Sequence, residues 1–152
     1  MTQTAYKVVA IRNGERTSIT QNDLPTGWAL TYTPGERVTA QQGSKIFVFQ
    51  NKGAAQVFAY YHLYHPVSPT QVEIWECECE NLTKPTGGYC LNLWWSDALA
   101  NLQAFWENAC PVMFCCQCPL DTVLADAVTL TKLMDPPHRT PRLRCKKETP
   151  ND

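Results

Sequence analysis

Before residue 77 the chain contains no cysteine, and nowhere does it hold an apolar run near the roughly 20 residues of a membrane span. Its longest apolar passages are broken by Asn, Pro, Gln or Asp, so no membrane partner is expected. Charge of one sign is lacking as well. The 13 Lys and Arg face 14 Asp and Glu, which leaves no global field to recruit nucleic acid or an anionic surface. Residues 1–6 are polar and run into a strand-like segment without the basic start and apolar stretch of a secretory leader. The expectation is a soluble, intracellular protein.

Common catalytic signatures are also missing. There is no G-x-x-x-x-G-K phosphate loop, no G-x-G-x-x-G after a strand, no H-E-x-x-H and no G-x-S-x-G. No internal repeat is visible. At 152 residues the chain is about one average domain, able to bury a core without disulfides.

Strand and turn signals dominate what is present. Tyr6 to Arg12 and Arg16 to Thr20 flank Asn13-Gly14-Glu15, and an Asn-Gly pair between β-rich runs predicts a hairpin because both residues tolerate positive φ. Trp28 to Thr33 and Arg37 to Ala40, split by Pro34-Gly35, predict a second hairpin. Lys45 to Phe49 reads as a buried strand. Asn51 then caps a helix whose Ala54, Ala55, Phe58 and Tyr61 recur at helical spacing, with His62 and His65 at its end near the negative pole of the helix dipole.

Gln71 to Glu80 resumes as a strand with readable alternation. Trp75, Cys77 and Cys79 share an inward face, and Glu76, Glu78 and Glu80 share a wet one. Two residues of strand separate the Cys77 and Cys79 Cα atoms by about 6.6 Å at roughly 3.3 Å per residue. That is near the upper limit for a disulfide, so the pair is expected to pack under the first helix without bridging. After a Pro/Thr/Gly-rich loop, Ser96 and Asp97 start a second helix that carries Leu99, Leu102, Phe105 and Trp106 to about Asn108. Thr122 to Met134 reads as a long last strand that pairs with the Ile74 strand.

The fold class expected is α+β: residues 1–135 form one domain, a twisted and mostly antiparallel sheet with two helices. A Cys/Trp-rich insertion occupies 81–119, and 136–152 form a flexible basic tail.

All eight cysteines lie in the second half of the chain. Cys115 and Cys118 form a C-x-x-C, the spacing that lets two thiolates of one tight loop reach a Zn²⁺ ion at about 2.3 Å. Cys110 and Cys90 are the candidates to complete the ligand set, with Cys145 or His138 if the tail folds back. Zinc is the one cofactor the spacing suggests. Cysteines that simply fill space, or that serve in disulfide or redox chemistry, are the other readings, since no second C-x-x-C is present. Adjacent Trp94 and Trp95 cannot both point to one face of a strand or helix, so with Phe114 they are the candidates for contact with a protein partner. Arg139, Arg142, Arg144, Lys146 and Lys147 make the tail the one place where nucleic-acid phosphates could be met.

The motifs Tyr6-Lys7-Val8-Val9 with Asn13-Gly14, Tyr32-Thr33-Pro34-Gly35-Glu36, Ile46-Phe47-Val48-Phe49, Phe58-Ala59, Ile74-Trp75-Glu76-Cys77-Glu78 and Leu124-Ala125-Asp126-Ala127-Val128 follow one another in a familiar order. This pattern resembles small uncharacterised proteins of bacteriophage and environmental viral genomes. The likeness spans 6–80 and 120–134, about half of the chain, and leaves out the cysteine-rich segment. It implies a viral or mobile-element context, in the host cytoplasm or the virion, and carries no catalytic residue across.

The function expected is protein binding by a small accessory or virion-associated protein, with 90–118 as the contact surface. One competing reading is a nucleotide binder or ADP-ribosyltransferase-like enzyme using Arg12, Tyr32 and Glu76. Another is a zinc-stabilised binding module.

Overall fold

The computed structural model describes residues 1–19, 28–41, 43–64, 71–91, 103–108 and 115–134. It has one α+β architecture, a mostly antiparallel sheet with a helix on its outer face. The expected tail at 136–152 lies outside the described residues.

The first hairpin forms as its sequence predicts. Strand β1 (Thr2–Arg12) turns through Asn13 and Gly14, at φ of 51° and 79°, into β2 (Glu15–Ser18), with Arg12 opposite Glu15. Both central residues at positive φ give the tight turn whose twist matches the flanking strands.

The second predicted hairpin does not form. Pro34 and Gly35 do make a turn, with the Glu36 amide donating to the Thr33 carbonyl at 3.0 Å and Gly35 at φ 82°. Yet β3 (Thr31–Tyr32) pairs with β2, and β4 (Arg37–Thr39) pairs with the last strand. The Gly35 amide donates to the Leu130 carbonyl instead of closing a ladder between its neighbours.

The separate pairing of β3 and β4 exposes the global geometry. The strand order is β3-β2-β1-β6-β10-β4, where β6 is Val72–Glu80 and β10 is Ala127–Leu133. Its two ends are consecutive in sequence. Five strand spacings would separate them by about 24 Å in a flat sheet, whereas the chain from Tyr32 to Arg37 reaches at most about 18 Å. The sheet therefore rolls up.

A second path closes the roll. Strand β9 (Thr122–Ala125) bends at Asp126 into β10, and β5 (Ile46–Phe49) pairs with β9 along its length and with β1 at Tyr6 and Phe49. The circuit thus runs by hydrogen bonds from β1 through β6 to β10, along the chain through the Asp126 corner into β9, and by hydrogen bonds again through β5 back to β1. The predicted long last strand is present, with a corner in it. Asp126 holds that corner: its carboxylate accepts from Lys45 and from the Asn81 amide at 2.8 Å, and its backbone amide donates to Glu80 at 2.9 Å.

The two faces of this barrel carry separate cores. Inside lie Ala5, Val9, Tyr32, Ile46, Val48, Trp75, Cys77, Cys79, Val123, Ala125, Val128 and Leu130. Outside, Val8, Phe49, Val72 and Ile74 meet Ala55 and Ala59 of helix α1 (Lys52–Tyr64). Asn51 caps this helix, its side-chain oxygen accepting from the Ala54 amide at 2.8 Å. Strands β5 and β6 flank β1, so the helix that joins them crosses over β1 and covers its outward side chains.

Two sequence expectations are corrected here. Tyr61 stays outside the helix's buried stripe, 60% exposed, because the close packing falls on the small Ala55 and Ala59. Cys77 and Cys79 face the barrel interior, the side opposite to α1, because residues of odd number on β6 point inward and the helix covers Val72 and Ile74.

Candidate functional site

Two places carry chemistry: the base of the cysteine-rich insertion and the interior of the barrel. The insertion leaves β6 at Glu80. It is tied to the barrel by mutual backbone bonds between Thr83 and Leu124, at 2.8 and 2.9 Å. Strands β7 (Tyr89–Leu91) and β8 (Cys115–Gln117) then pair only with each other, as a separate two-stranded ribbon. The Cys118 amide extends that ribbon by donating to the Gly88 carbonyl at 2.8 Å.

Of the sequence-predicted metal ligands, Cys115 sits on β8 and Cys118 just beyond it, both half-buried. An extended strand spreads a C-x-x-C apart at about 3.3 Å per residue, where a zinc knuckle needs a tight turn. Cys90 lies on β7 with its backbone opposite Cys116. Cys110, with Cys145 and His138, lies outside the described residues. Among the described residues no group of three His, Cys, Asp or Glu side chains is placed to hold a metal ion.

The partner-binding candidates Trp94, Trp95 and Phe114 also lie outside the described residues. Their neighbours Phe105 and Trp106 are within them, on a helical turn at 103–106 that ends at Asn108 with φ 57°. Both rings pack on Phe47, with centroids 6.5 and 5.7 Å away, and on each other edge to face at 5.0 Å. Phe47 points outward from β5, so the insertion docks on the barrel wall through an aromatic cluster. A groove of about 390 Å³ opens beside the ribbon's base, lined by Gln50, Lys84, Gly88, Cys118, Asp121 and Thr122 among others.

The trio Arg12, Tyr32 and Glu76 is not brought together. Tyr32 is buried in the interior, while Glu76 lies on the opposite face of β6. Arg12 ends β1 six residues from Tyr6, the partner of Glu76, a separation of about 20 Å along the strand.

The interior holds an arrangement that reading by motif passed over. Lys7, 7% exposed, points into the barrel from β1. Its Nζ donates to the Phe47 carbonyl at 2.8 Å and stands 5.6 Å from the Tyr32 ring centroid. Desolvation pulls its pKa down from 10.5 to about 8, with negative charge on Cys77 or Cys79 opposing the shift. The Tyr32 hydroxyl shares a hydrogen bond with Ser18 Oγ at 3.2 Å, and burial pushes its pKa up.

Nearby, Glu73 accepts from Arg16 Nε and from Trp75 Nε1, both at 2.7 Å, and the Arg16 guanidinium stacks 5.2 Å from the Trp75 ring. Cys77 Sγ lies 3.5 Å from Cys79 Sγ and 3.2 Å from the Ala5 carbonyl. The strand alternation held the signal for Lys7: Ala5, Lys7 and Val9 share a face of β1, and that face turns inward.

Comparison of the chain with known protein families, with curated proteins and with solved structures returns no match. Among the described residues no helix is long and apolar enough to cross a membrane.

Proposed function

We propose that this chain is a small protein-binding module of the accessory or virion-associated kind found in phages and viruses. In this reading the barrel is the scaffold and the insertion 90–118 is the contact surface. The observation that carries it is the ribbon: β7 and β8 pair with each other and not with the barrel sheet, so the chain between them leaves and returns through its own stem, anchored where Phe105 and Trp106 meet Phe47. A rigid scaffold with an aromatic-rich loop is how compact domains commonly carry contacts.

The interior supports the same reading from the other side. Val9, Val48, Cys77, Cys79, Val128 and Leu130 fill it with almost no exposure, which leaves a nucleotide no lumen between the strands. The viral context rests on the likeness of the strand and turn motifs.

The test compares the full chain with a variant in which 92–114 are replaced by Asn-Gly, a turn that closes β7 onto β8. Both are expected to unfold cooperatively. Only the full chain is expected to retain a stoichiometric protein partner from infected cells, and Trp94→Ala with Trp95→Ala is expected to abolish that retention. Equal retention by the shortened variant, or stabilisation of the full chain by NAD or another nucleotide at modest concentration, would refute the reading.

A further inference from the structure

The barrel interior contains a chemical anomaly that protein binding does not use. Lys7 is a buried cation, and among the described residues no carboxylate pairs with it. A desolvated ammonium with one carbonyl acceptor and an aromatic ring lacks a full counter-charge. The groups able to supply one are the two thiols whose ionisation acts on it, Cys77 and Cys79. Those thiols, both with no solvent exposure, touch each other at 3.5 Å.

We infer that Cys77, Cys79 and Lys7 form a redox-responsive dithiol, which a two-electron oxidant of the hydroperoxide class converts into a disulfide inside the barrel. The two sulfurs are not equivalent. The contact with Cys77 and the Lys7 ammonium hold the Cys79 thiol below its ordinary pKa against the effect of burial, while the contact with Cys79 and burial hold Cys77 above it. Cys77 also donates its S–H to the Ala5 carbonyl at 3.2 Å, a bond only the neutral thiol makes, so Cys79 is the attacking sulfur and Cys77 the resolving one.

In the first step the Cys79 thiolate attacks one peroxide oxygen. An S–O bond forms, the O–O bond breaks, and the departing hydroxide takes a proton from Lys7 to leave as water. Lys7, now neutral, accepts the Cys77 proton. In the second step the Cys77 sulfur attacks the sulfenic sulfur, the S–S bond forms, the S–O bond breaks, and hydroxide again leaves as water with the Lys7 proton. Two thiols lose two electrons and one hydrogen peroxide becomes two waters; an alkyl hydroperoxide releases its alcohol in place of the first water.

Closing the bond shortens the sulfur separation from 3.5 Å to about 2.05 Å. The Cα atoms, about 6.6 Å apart on an extended strand, must approach slightly, which puckers β6 at Glu78. Glu78 pairs with Thr4 on one side and Thr129 on the other, so oxidation loosens the ladder in two directions at once. Sequence spacing argued against a bridge, but the sulfur positions supply a contact that spacing does not reveal.

The test uses the reduced full-length chain, treated with hydrogen peroxide, alkylated under denaturing conditions and digested with a glutamyl endopeptidase. Cleavage after Glu78 leaves the Cys77 and Cys79 fragments joined only through sulfur. The joined fragment is expected to appear with peroxide, to vanish with dithiothreitol, and to form several-fold more slowly in Lys7→Met, which removes a charge that holds the Cys79 thiol down.

Alkylation of both residues as thiols at a peroxide dose that oxidises Cys115 would overturn the inference, and so would an unchanged rate in Lys7→Met. Should that variant fail to fold, Cys77→Ser leaves Cys79 without its resolving partner, and a sulfenic acid trapped by dimedone at Cys79 is expected. Absence of that adduct would overturn it equally.

Discussion

Replacing Lys7 by Met gives the sharpest check on the barrel interior, because the effect of the charge appears in how stability varies with pH. The folded-state pKa is lowered from 10.5 to about 8 by burial. Below about pH 8 both the folded and the unfolded chain hold the proton, so the lysine adds no pH dependence there. Between 8 and 10.5 the unfolded chain binds more protons, and stability rises with pH through that window.

At 1.36 kcal/mol per unit, the rise from pH 7 to pH 9 is on the order of 1 kcal/mol, with roughly 3 kcal/mol over the whole window. Cys77 and Tyr32, held above their ordinary values, act in the opposite sense, since their unfolded forms release protons first. Those contributions are largely common to both proteins and drop out of the comparison, while Cys79, which loses the Lys7 charge in the variant, adds to the wild-type rise in the same direction.

Urea unfolding of wild type and Lys7→Met, with reductant present, is therefore measured at pH 7 and pH 9. The wild type is expected to gain on the order of 1 kcal/mol relative to the variant between the two. A difference that stays flat would refute the buried position of Lys7. A difference that shrinks would show that the folded protein prefers the charged lysine.

Two further perturbations examine the scaffold. Asn51→Ala removes the oxygen that caps α1 and an amide that donates to Asp121, so a loss of about 1–2 kcal/mol is expected in denaturant melts, and an unchanged midpoint would refute the cap. Phe47→Ala removes two aromatic contacts of about 0.5–1.5 kcal/mol each between barrel and insertion. Limited proteolysis should then cut within the insertion faster while the barrel fragment survives, whereas equal cutting rates would show that the insertion does not depend on Phe47.

Much of the local structure is legible in the residues. Asn13-Gly14 specifies its hairpin through two left-handed residues, Asn51 marks the start of α1, and the alternation from Trp75 to Glu80 assigns each side chain to its face. The pairing of the last strand with the Ile74 strand also follows from their apolar content, and the Met134 amide reaches the Ile74 carbonyl at 2.9 Å. The candidate site was less legible. Motif spacing drew attention to Cys115 and Cys118, while the buried cluster of Lys7, Cys77 and Cys79 comes from two strands far apart in sequence.

Amino-acid order by itself determined the elements, since turns, caps and two-residue periodicity act within a few positions of chain. Tertiary structure decided the partners of β3 and β4. Pro34-Gly35 is a competent turn, yet its flanking strands go to opposite ends of the strand order because the rolled sheet offers β3 and β4 better edges than each other. The same closure gives an inward-facing lysine no water and two thiols for neighbours, and that surrounding, more than the residue type, is what changes its chemistry.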